Sequence, residues 1–103
     1  MVVNSSKSKS KFVFPKVREK LYHKIKGLGL YVRMHGYEYL IADDKRILAL
    51  LFLEPWTNRA ELRIFVSGGE FVEKIVSKVK SLDPSVSMEV LYLSSTSDRS
   101  HFR

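Results

Sequence analysis

An α+β fold is predicted: two helices on one face of an antiparallel sheet of four or five strands, in the order α-β-β-β-β-α-β. Three observations point to it. Segments 16–26 and 69–82 carry apolar residues at helical spacing. Between them, short stretches alternate apolar and polar side chains and are broken by turn residues. At the centre, Ile47 to Val66 reads as a hairpin. Its first arm, Ile47 to Leu53, is apolar on both faces, and its second, Glu61 to Val66, alternates.

Taken in order, residues 1–11 are a Lys/Ser-rich arm with little to bury, expected to be disordered. A single domain spans 12–93, and 94–103 is a polar, flexible tail. Phe12, Val13 and Phe14 begin the core. Pro15 suits the first turn of a helix running to Lys26, and Gly27 suits its end. Val17, Leu21 and Ile25 form one narrow apolar stripe on it. Leu28 to Met34 alternates as a strand. His35-Gly36 fits a two-residue turn, and Tyr37 to Ala42 returns, with Arg33 opposite Glu38, Val32 opposite Tyr39 and Leu30 opposite Ile41. Asp43 to Arg46 is the next turn. Ser67 and Glu70 have the spacing of a capping box, so the second helix is expected from about Gly69 to Leu82, where Asp83-Pro84 ends it. Val86 to Tyr92 is a last strand whose place in the sheet the sequence leaves open.

This threading divides the sheet into two faces. Leu30, Val32, Met34, Tyr37, Tyr39, Ile41, Leu48, Leu50, Phe52, Leu62, Ile64 and Val66 are expected beneath the helices. Tyr31, Arg33, Glu38, Leu40, Ile47, Ala49, Leu51, Leu53, Arg63 and Phe65 are expected on the other face. A slip of one residue in any hairpin would exchange the sets.

Composition narrows the function classes. The chain of 103 residues suits one domain, and without Cys it has no disulfide framework and no thiolate chemistry. The longest apolar run is too short to cross a bilayer, and no secretory signal is visible, so a cytoplasmic chain with no membrane partner is expected. Gln is absent and Asn occurs only at 4 and 58, a depletion of thermolabile amides that points to a thermophilic source, archaeal or viral.

Charge is strongly segregated. Residues 1–36 carry nine Lys/Arg and one Glu, whereas 37–103 carry nine Lys/Arg and ten Asp/Glu. Segregated positive charge is suited to a polyanion, most often nucleic acid, although a solvated, solubilising face has the same signature. The expected function is therefore non-enzymatic binding of single-stranded DNA or RNA. Lys7, Lys9, Lys11, Lys16, Arg18, Lys20, Lys24 and Lys26 would contact phosphates. Tyr31, Phe65 and Trp56 would stack on bases, with Arg33 and Arg63 on the backbone. The alternative is a structural or protein-interaction subunit of a ribonucleoprotein or viral assembly, its second sheet face buried in a homodimer or against another protein.

A third reading starts from Asp44, followed ten residues later by Glu54-Pro55-Trp56. With the order of elements, this resembles the core of restriction-endonuclease-like nucleases, which use an Asp at one strand start and Glu-x-Lys on the next. The resemblance implies that Asp44 and Glu54, with Asp43, hold Mg²⁺ through oxygen ligands. The position of the Lys is occupied by Trp56, so the water-activating cation of that pattern is missing. A turn at Asp43-Asp44 and a strand end at Glu54 explain these acids more simply. His23, His35 and His101 lack metal-ligand spacing, and Ser67-Gly68-Gly69 lacks the Lys and wider glycine spacing of a phosphate loop. No catalytic residue, metal or cofactor is assigned.

Overall fold

The computed structural model describes residues 9–67 and 69–93. Helix α1 (Pro15–Lys26) follows a short 3-10 turn at Lys11–Val13. Four strands come next: β1 (Tyr31–His35), β2 (Glu38–Ala42), β3 (Ile47–Glu54) and β4 (Arg59–Ile64). Helix α2 (Phe71–Leu82) and strand β5 (Ser87–Tyr92) complete the domain. The sheet is ordered β1-β2-β3-β4-β5. Its first four strands are an antiparallel meander, and β5 lies parallel to β4 across the α2 connection. A parallel neighbour needs a crossover of a dozen or more residues, which α2 supplies.

Both helices lie on one face, as predicted. Leu21 and Ile25 of α1 and Val72, Ile75 and Val79 of α2 are buried in one cluster with Val32, Tyr39, Ile41, Ala49, Leu51, Leu62 and Ile64. Strand β3 differs from the expected partition. Tyr39 pairs with Leu51 and Ile41 with Ala49, so Ala49, Leu51 and Leu53 belong to the covered face. Leu50 pairs with Leu40 and Arg63, and Phe52 with Glu38 and Glu61, so Leu50 and Phe52 belong to the open one. A register shift between Ile41 and Ala42 skips Leu48, which is buried, and leaves Ile47 paired with Ala42 and exposed. One extra residue inverts every side chain beyond it.

The first hairpin also pairs differently. His35 faces Glu38 and Arg33 faces Leu40, so the turn residues are Gly36 and Tyr37. Gly36 has φ +65°, a left-handed conformation that glycine adopts without a Cβ penalty. The covered and open sets of these two strands survive, because each pairing moved by an even number. Helix α2 begins at Phe71 rather than Gly69, and its N-cap, Glu70, makes no side-chain capping bond, so the expected capping box is not formed.

The ends of the domain are tied together by polar groups. Ser10, assigned by composition to the arm, is buried, and its hydroxyl donates to the Asp83 carboxylate at 2.8 Å. The Lys11 amide donates to the same oxygen at 2.8 Å, and the Ser85 hydroxyl donates to the other at 2.7 Å. Burial alone would raise the Asp83 pKa. The hydrogen bonds from Lys11, Ser85 and Ser10 outweigh it and hold this carboxyl below its ordinary value. Residues 1–8 of the expected arm and all of the expected tail lie outside the described residues.

Candidate nucleic-acid interface

The basic helix does not present one cationic face. Side chains four residues apart share a row on a helix. Lys16, Lys20 and Lys24 therefore form one row, and Arg18, Tyr22 and Lys26 form another. The second row borders strand β1. There Tyr22 and Lys26 meet Tyr31, Val32, Arg33 and Met34 around a groove of about 460 Å³. The Lys26 ammonium lies 5.5 Å from the centre of the Tyr22 ring. Tyr31 is 55% exposed. Among the described residues, neither Lys26 nor Arg33 has a carboxylate within salt-bridge distance. Among the described residues, no acid lines this groove. Two aromatic rings and two cations without an ion-pair partner among the described residues thus share one open channel along the free edge of the sheet.

Of the expected contacts, this channel joins Lys26, Tyr31 and Arg33. The others fall elsewhere. Arg18 is committed to the fold: its guanidinium donates to the Phe12 carbonyl at 2.8 Å and the Val13 carbonyl at 3.1 Å, and lies 4.2 Å over the Tyr37 ring. Beneath it, Tyr39 is fully buried and donates its hydroxyl to the Arg18 carbonyl at 2.8 Å. Burial drives the Tyr39 phenol well above the usual tyrosine range, against the opposing pull of the Arg18 charge, so it remains a donor. Trp56 packs edge-on against Tyr37, ring centres 4.8 Å apart, at the opposite end of the strands from Tyr31. Its exposure, 55%, leaves it accessible but remote from the channel.

Arg63 and Phe65 lie three strands away from β1, about 14 Å across the sheet. Arg63 is engaged by Glu61 and lies 4.6 Å over the Phe52 ring. Phe65 is half-buried, opposite Leu48. Lys9, Lys11, Lys16 and Lys20 are exposed and Lys24 is half-exposed, on surfaces outside the channel, and Lys7 lies outside the described residues. Tyr22 is the member that sequence reasoning left out. Its signal was present: four residues before Lys26, it must lie on the same side of α1.

The acids of the nuclease-like pattern do not converge. Asp43 and Asp44 precede β3 and Glu54 ends it, with about 23 Å of extended chain between. Asp43 accepts from the amides of Lys45 and Arg46, and these bonds lower its pKa, as befits a turn residue. Glu54 pairs with Arg59, which also reaches Glu89. Among the described residues no three His, Asp or Glu side chains are grouped to hold a metal ion.

A larger hollow, about 580 Å³, lies beside α2 between Leu28, Glu70, Glu73, Lys74, Ser77 and Lys78. Among the described residues it has no aromatic wall, and its two cations are balanced by two carboxylates, one of them paired with Lys74. It offers neither a stacking surface nor a net field. Among the described residues, no helix is long and apolar enough to cross a membrane. Comparison of the chain with protein-family models, with curated proteins and with solved structures finds no significant match.

Proposed function

We propose that the protein binds single-stranded nucleic acid along the channel between α1 and β1. The observation that carries this reading is the junction of Tyr22 and Tyr31 with Lys26 and Arg33 at an open sheet edge. Phosphates need cations that are not already neutralised, and unpaired bases need exposed ring faces. The channel offers both within one short stretch. A duplex hides its bases, and neither helix carries an array of base-reading side chains suited to a major groove. Single strands, DNA or RNA, are therefore the favoured ligand, bound without cofactor and without chemistry on the strand.

The row Lys16, Lys20 and Lys24 adds field rather than contact: it raises the local concentration of polyanion and speeds encounter. Stacking contributes about 1–3 kcal/mol per base. Tyr31→Ala and Tyr22→Ala should each weaken binding of a fluorescent oligonucleotide by that amount, read by anisotropy. Tyr31 is exposed, so Tyr31→Ala should leave the thermal midpoint within a degree or two of wild type. Wild-type affinity in Tyr31→Ala would remove the channel from the binding surface. Trp56→Ala is the matched control, because it removes an exposed aromatic that lies outside the channel.

A further inference from the structure

The open sheet face has its own pattern. Across the strands, His35, Glu38, Phe52, Glu61 and Glu89 make one band, and Arg33, Leu40, Leu50, Arg63 and Leu91 make the next. The first band is acidic around Phe52, and the second is apolar and carries the arginines. Leu40, Leu50, Phe52 and Leu91 are only half-buried, and both helices lie on the opposite face. We infer that this face docks a second copy of the chain, sheet against sheet, about a two-fold axis that runs across the strands between the two bands.

The charge pattern selects both the occupant and the axis. A two-fold parallel to the strands would stack each band on its own kind, setting Glu38, Glu61 and Glu89 among carboxylates. A two-fold across the strands lays the acidic band of each copy on the arginine band of the other. Each strand then lies over the same strand of the other copy, so Glu61 meets Arg63 twice, once on each side of the axis, and Phe52 meets Leu50. Glu38 and Glu89, above Leu40 and Leu91, come beside the other copy's Arg33 and Arg63 on the neighbouring strands. An isologous contact requires such self-complementarity. The usual offset of about 30° between packed sheets preserves these neighbours near the centre. A nucleic-acid strand fits this face poorly, because Glu38, Glu54, Glu61 and Glu89 would repel phosphates. The α1 side of the channel, with Tyr22 and Lys26, lies on the covered side of the sheet and stays outside the contact, whereas Arg33 stands at its margin.

Five strands about 4.8 Å apart and some six residues long give a patch of roughly 500 Å² per copy. That is the lower end of specific interfaces, so the dimer should be weak and concentration-dependent.

Sedimentation velocity of the full chain, without nucleic acid, tests this. Wild type should shift from monomer towards dimer as concentration rises, and Leu50→Lys should abolish the shift. Glu61→Arg and Arg63→Glu should each weaken self-association at least about tenfold, because each sets like charges against one another. An equimolar mixture of these two variants should dimerise again, since both contacts between positions 61 and 63 are then opposite in sign. Restoration in the mixture also shows that the single variants are folded. A wild-type monomer at the highest attainable concentration would overturn the proposal. So would a dimer that none of these substitutions weakens, or a mixture that stays monomeric.

Discussion

Individual residues divide between those that hold the fold and those left free to act. Asp83 belongs to the first group. Its lowered pKa stabilises the native state above the ordinary carboxyl pKa of about 3.9. That contribution is lost as pH falls through the depressed folded value. Asp83→Asn should cost about 1–3 kcal/mol near neutrality, since Ser10, Lys11 and Ser85 lose a charged acceptor. Its acid-unfolding curve should then be flatter than wild type below the ordinary carboxyl pKa, measured by circular dichroism; parallel curves would contradict the assignment. Gly69 is constrained in a different way. Its φ is +113°, and an added Cβ would sit 2.5 Å from the Phe71 ring. Gly69→Ala should destabilise by about 1–3 kcal/mol in denaturant unfolding, and an unchanged midpoint would show that the turn before α2 relaxes freely. Arg18 looks like a phosphate contact in the sequence because charge alone is visible there. Its partners, the carbonyls of Phe12 and Val13, exist only once the chain has turned into α1.

Among the elements, the helices and the alternating strands were legible because their patterns have a period. Pro15 and Gly27 mark α1 to the residue. Strand β4 alternates Ala60, Leu62 and Ile64 with Glu61 and Arg63, and its faces follow directly. Strand β3 has no such period. With apolar residues at all seven positions from Ile47 to Leu53, it fits either way up, and the bulge at Leu48 decides. Its orientation can be tested. Leu51 is fully buried and Leu50 only half-buried. Leu51→Ala should therefore cost about 2–5 kcal/mol, the range for a truncated core leucine. Leu50→Ala should cost clearly less; the reverse order in urea denaturation would turn β3 over. The place of β5 was likewise beyond the sequence: either free edge accepts a strand, and the connection through α2 brings it beside β4.

At the scale of the molecule, two helices cover one side of a five-stranded sheet, and the described residues present three distinct surfaces. One is the β1 edge, where Tyr22, Lys26, Tyr31 and Arg33 converge. Another is the banded open face, where Glu61 and Arg63 sit side by side. The third is the end of the strands that carries Trp56, Tyr37 and Arg18. The concentration of positive charge in the first third of the sequence was visible at once. Which of its two rows on α1 adjoins β1 was not, because only the packing of Leu21 and Ile25 against the sheet fixes that. Field and contact are therefore separable. Removing a channel cation should change the number of phosphates neutralised, whereas removing a lysine of the other row should mainly slow association.

The most direct measurement is the salt dependence of oligonucleotide binding by wild type and by a Lys26→Ala/Arg33→Ala double variant. Each cation in contact with a single strand contributes about 0.7 to the slope of log affinity against log salt. The double variant should give a slope shallower by about 1.4, and wild type should favour single strands over duplex at every salt concentration. Equal slopes for the two proteins, or no binding by wild type at low salt, would contradict the account.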